Sequence, residues 1–142
     1  MKYSTKLSDA VHILAFIAIN QDFDLSSTAI AKSVHTNPSY VRQLMMKLRK
    51  ANLMSSIIGH AQPTLTKPAS EISLFDIYKA VEGDKPLLHL DTHINPECGV
   101  GVKIQLALGE YYQQIQETTE KRMQKITLQD IISSYNSKKI LE

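Results

Sequence analysis

The sequence predicts a mainly α-helical chain with one small two-stranded β wing and a long C-terminal helix. Three observations lead there. Apolar residues recur at spacings of three and four through most of the chain. One Ile- and Ser-rich stretch, LMSSIIG, breaks that rhythm and is followed by a turn and the short run TLTK. A long helical pattern then occupies about Gly101 to Lys125. At 142 residues, with 43% hydrophobic and 21% charged, the chain can build a real core as one compact domain, and its composition argues against disorder.

The elements follow in order. Leu7, Val11, Leu14, Ala15 and Ala18 give a first amphipathic helix over roughly Ser8 to Asn20. QDFDLSS is a loop, and Ser26 or Ser27 caps a second short helix that runs through Val34. HTN makes a tight connection. Asn37 is then an N-cap, and Pro38 fits the first helical position, where its missing donor costs nothing. The third helix runs to about Ala51. Leu53 to Gly59 suits a strand, HAQP a turn, and Thr64 to Lys67 the return strand, with Pro63 and Pro68 limiting its pairing. Ser73 opens SLFDIYKAVEG, Asp76 stands in the capping-box position, and Gly83 ends the helix. Asp84 to Cys98, with two prolines, three acidic residues, His89 and His93, reads as a loop before the long helix. In TLQDII, Thr127 and Asp130 mark a further helix start. Helix, three-residue turn, helix and ribbon is the order of a winged helix-turn-helix. Residues 1–83 would form that unit, and 84–142 the loop and long helix beyond it.

Charge is distributed unevenly along this plan. From Leu25 to Ser70 there is no Asp or Glu, while Lys32, Arg42, Lys47, Arg49, Lys50 and Lys67 give +6; the remainder carries −4. A basic lobe of this kind suits a polyanion such as nucleic acid, or is an ordinary solvated surface. On the third helix Val41, Leu44, Met45 and Leu48 form a buried stripe. Ser39, Gln43, Met46, Lys47 and Lys50 face the other way, with Tyr40, Arg42 and Arg49 on the flanks. Ser39, Tyr40 and Gln43, near the helix start, have the donors and acceptors to read base edges in a major groove. Arg42, Lys47, Arg49 and Lys50 suit phosphates, which set affinity and salt sensitivity. Double-stranded DNA is thus the expected partner.

The run IAKSVHTNPSYVRQLMMKLRKANLMSSIIG, then LTKPASEISLFDIYKAVEG, then NPECGVG before a long helix, resembles the Rrf-two family of winged-helix transcription regulators, the family of IscR, NsrR and CymR. The likeness covers nearly the whole chain in the family's order. It implies a homodimer that binds a roughly palindromic operator and usually represses, joined through the long helix. Ile104, Leu108, Tyr111 and Ile115 follow a heptad-like seam there. The sequence departs from the family in its wing, IIGHAQPT, where His60 and nearby Lys67 are the basic residues offered. It departs also in its cysteines: iron–sulfur members have three near the long helix, and this chain has Cys98 alone, so no cofactor is expected.

A lone cysteine excludes an internal disulfide framework and fits a reducing compartment, the cytoplasm. Val11 to Ile19 is too short to span a membrane and lacks the features of a signal peptide. Cys98 stands at the start of the long helix, where free N–H groups favour a thiolate able to sense oxidants. Alternatively it is structural, with control passing to a protein partner or small-molecule effector. A metal held by Cys98, His89 and His93 lacks a recognisable ligand spacing. A thiol enzyme using Cys98 with His89 or His93 lacks any oxyanion or phosphate-binding signature, so no enzymatic activity is expected.

Overall fold

The computed structural model describes residues 3–56 and 62–138. Helix α1 is Lys6–Ile19, α2 Ser27–Val34 and α3 Pro38–Lys50. Strands β1 (Met54–Ser55) and β2 (Thr64–Leu65) follow, then a 3-10 turn at Ala69–Glu71 and α4 (Leu74–Glu82). The long α5 is Gly99–Gln124 and α6 is Leu128–Ser137. The mainly helical architecture with a two-stranded wing is the one expected.

Local chemistry sets the boundaries. Ser26 rather than Ser27 caps α2, its hydroxyl accepting from the Ala29 N–H at 3.2 Å. The α2 helix ends at His35, which adopts a left-handed conformation with φ 66°. Asn37 caps α3 by accepting from the Tyr40 N–H at 2.8 Å, with Pro38 at the first helical position. Ser73 and Asp76 form a reciprocal capping box at α4, and Thr127 and Asp130 another at α6. Gly83, at φ 63° and ψ −131°, ends α4 in a conformation that a side chain would strain.

The core lies between α1, α2, α3, α4 and α6. Its fully buried side chains include Ile13, Leu14, Ile17, Ile30, Leu44, Leu48, Met54, Ile72, Ile77 and Leu128. On α1 the most deeply buried stripe is Ala10, Ile13, Leu14 and Ile17, whereas Leu7, Val11, Ala15 and Ala18 are only partly covered. Periodicity could not place that stripe, because from Ala10 to Ile19 every α1 residue but His12 is apolar. On α3 the stripe is the expected one.

The wing is shorter than read from sequence among the described residues: Met54 pairs with Leu65 and Ser55 with Thr64, antiparallel. Residues 57–61, which hold Ile58, Gly59 and His60, lie outside the described set. The start of α6 is tied to the start of α4 by two backbone bonds. The Leu74 N–H donates to the Ile126 carbonyl at 2.7 Å, and the Leu128 N–H to the Ile72 carbonyl at 2.8 Å. Leu128 and Ile132 of α6 therefore join the core formed by residues 10–81.

The α5 helix differs from the others, because none of its 26 residues is buried. One side leans on α4 and the loop before it. Gln116 donates to the Tyr78 hydroxyl at 3.2 Å and accepts from the Leu87 N–H at 2.9 Å. Glu120 pairs with Lys79 at 3.6 Å. Gly109 lets the loop approach closely: a Cβ there would stand 3.3 Å from Leu90 Cδ1.

Candidate nucleic-acid interface

The α2 and α3 helices meet across His35, Thr36 and Asn37, and the sharp reversal rests on local backbone bonds. The Thr36 N–H reaches back to the Ala31 carbonyl at 3.0 Å, closing α2 while His35 takes the left-handed turn. With Val41, Leu44, Met45 and Leu48 buried, the opposite side of α3 must face out. Ser39, Arg42, Gln43, Met46, Arg49 and Lys50 are exposed, and Lys47 is half-buried.

The electrostatics of this face are one-sided. Among the described residues the ion pairs all involve Lys79, on α4, so Arg42, Lys47, Arg49 and Lys50 carry no acidic partner. Arg49 Nη1 donates to the Ser56 hydroxyl at 3.4 Å, linking the end of α3 to the base of the wing. Ser55 and Thr64 hydroxyls meet at 3.2 Å across the ribbon. Lys67, beyond β2, is half-buried, and His60 lies outside the described residues.

Tyr40 departs from the reading that gave its hydroxyl to a base edge. The ring packs against the core, and the hydroxyl donates to Asp9 Oδ2 on α1 at 3.0 Å. Loss of water around the phenol, followed by this bond to a carboxylate, raises its pKa above the ordinary tyrosine value. Tyr40 therefore pins the first turn of α3 to α1. Nothing in the sequence signals the pairing, because the two residues are 31 positions apart. A cleft of about 540 Å³ opens beside them, lined by Thr5, Asp9, Thr36, Asn37 and Tyr40 among others. Asp9 sets a negative charge in that cleft, which disfavours an anion there.

The rest of the chain holds the other expected residues. Cys98 is exposed and is the N-cap of α5, its Sγ accepting from the Gly101 N–H at 3.4 Å. His89 and His93 are exposed in the preceding loop. Among the described residues no three His, Cys, Asp or Glu side chains come together as a metal site. On the outer side of α5, Ile104, Tyr111 and Ile115 are 56%, 62% and 48% exposed, while Leu108 is half-buried. Tyr111 and Ile115 also line a shallow groove with Gln114, Thr118 and Thr119. No described helix is long and apolar enough to cross a membrane.

Residues 3–134 match the Rrf2 family, described as iron-dependent transcriptional regulators. YwnA of Bacillus subtilis, named as an HTH-type transcriptional regulator, is 35% identical over 130 residues, spanning 92% of this chain and 96% of YwnA. A crystal structure described as that of a DNA-binding protein superposes with a TM-score of 0.73 at 35% identity, over 89% of this chain and 98% of its own. The structure of CymR, the global cysteine regulator of B. subtilis, has the same fold, with a TM-score of 0.68 at 24% identity, over 94% and 98% of the two chains.

Proposed function

This chain belongs to the Rrf2 family of transcriptional regulators, and from that premise we propose that it is a homodimeric repressor whose α3 enters the major groove of an operator. The observation that carries the reading is the outward face of α3, where exposed polar and basic side chains stand opposite a buried stripe, with no acidic residue among the described ones to pair them. Ser39 and Gln43 are the base-reading candidates near the helix start. Gln can accept and donate in parallel to an adenine edge. Arg42, Lys47, Arg49 and Lys50 hold phosphates. Tyr40 acts at one remove, holding α3 in place through Asp9.

The outer side of α5 supports the dimer reading. A helix about 39 Å long with no buried residue leaves Ile104, Tyr111 and Ile115 in water. Covering them with the same face of a second copy, with Leu108 at its edge, removes that apolar surface and sets two α3 helices on one duplex.

The family description carries iron, but the donor set here does not fit an iron–sulfur cluster. One cysteine per chain gives two thiolates per pair, where four ligands are needed, and the nearby histidines are not gathered with Cys98 into a metal site. A second reading, favoured by the exposure of Cys98, is that peroxide oxidises this thiol to sulfenic acid, releasing water, and so weakens operator binding. In that case peroxide lowers operator affinity in the parent and not in Cys98→Ser. Equal loss in both leaves Cys98 a structural cap, with control by a protein or small-molecule effector.

The primary test is selection of duplexes from a random-sequence library by the purified protein. A two-fold related motif is expected, and Gln43→Ala should return the same motif with one position relaxed. Recovery of no motif would overturn the reading.

A further inference from the structure

Met46 stands out on the face assigned to DNA. Its neighbour Met45 is buried, at 6% exposure, while Met46 points out at 46%. Every other outward residue of α3 (Ser39, Arg42, Gln43, Lys47, Arg49, Lys50) is polar or charged. A large apolar side chain there gains nothing from the core, and a thioether has no proton to offer a phosphate. Its placement has a geometric meaning. Gln43, Met46, Lys47 and Lys50 lie at i, i+3, i+4 and i+7 on one side of a helix. That is also the spacing with which a recognition helix lays four side chains along a major groove.

Building on the operator-binding reading, we propose that Met46 is a specificity-determining residue that packs against the C5-methyl group of a thymine in each half-site. The major groove offers one protruding apolar group, the thymine methyl, and it rewards an apolar side chain with no competing polar demand. Met suits the task because its unbranched, polarisable chain adapts to the groove floor. Gln43 lies one helical turn before it on the same side, so a base read by Gln43 and the thymine read by Met46 should fall within a few base pairs of each other.

The test uses the duplex recovered by selection, with each thymine replaced in turn by deoxyuridine. That change deletes the methyl group and leaves the pairing and hydrogen-bonding groups intact. One thymine per half-site should respond, its replacement weakening binding by the parent protein about fourfold, the worth of one buried methyl group. In Met46→Ala the same replacement should have no effect, and Met46→Leu should keep part of it. Unchanged thermal midpoints would confirm that both variants fold, as expected for an exposed position. If no thymine methyl is felt, or if the same loss appears in Met46→Ala, the proposal fails while the operator reading stands. A protein that selects no duplex at all removes both.

Discussion

Replacing Lys47 by Ala separates a helix that holds phosphates from one whose lysines only keep it soluble. Lys47 lies half-buried at the centre of the outward face, flanked by Arg42, Arg49 and Lys50, and among the described residues none of the four has an acidic partner. Unpaired cations release DNA counterions in full when they meet phosphates. Four per chain would neutralise about eight phosphates in a two-chain complex and give a log–log salt slope of about −7. Removing Lys47 from both chains takes away two, so the slope should shrink by about 1.8. Between about 50 and 200 mM salt the parent should lose roughly 10⁴-fold in affinity and the variant roughly 10³-fold. Fluorescence anisotropy of the selected duplex across a salt series measures both slopes. Lys125→Ala, at the exposed C-cap of α5, serves as the control that should leave the slope alone. A Lys47→Ala slope equal to the parent's would refute the assigned face, whatever happens to affinity at a single salt concentration.

Two further outcomes bear on the scaffold. Tyr40→Phe removes the bond to Asp9 and should cost about 1 kcal/mol in urea unfolding at neutral pH. Because the folded phenol has a pKa raised above its unfolded value, its contribution is complete below pH of about 10 and is lost as pH rises through the folded value. The variant should therefore show a shallower alkaline decline, and an unchanged one would mean the pairing with Asp9 is not made in solution. Ile104→Lys combined with Ile115→Lys places charges on the exposed side of α5 without disturbing the core. Sedimentation should report dissociation constants raised at least about 100-fold, and a variant that associates like the parent would rule this face out as the interface.

The sequence determined most of the local structure, because the signals involved act over a few residues. Asn37 and Pro38 fixed the start of α3, paired Ser73 with Asp76 and Thr127 with Asp130 fixed two more starts, and Gly83 fixed a stop. The split of α3 into a buried stripe and a basic face was equally legible, since its apolar residues keep strict helical spacing. That spacing also puts Met46 on the outer face, one apolar residue among cations.

Other features depend on contacts between distant segments, and only the tertiary structure decided them. The burial stripe of α1 was ambiguous because Ala10 to Ile19 is apolar except at His12, and it was settled by which side α4 and α6 press against. The pairing of Tyr40 with Asp9 turned a residue expected to read a base edge into a brace between α1 and α3. The return of α6 onto α1 brought Leu128 and Ile132 into the core and left α5 between α4 and α6 in the chain with no buried side chain of its own. Periodicity along a helix tells which residues share a side, but the partner that covers that side is chosen by the packing of the whole chain.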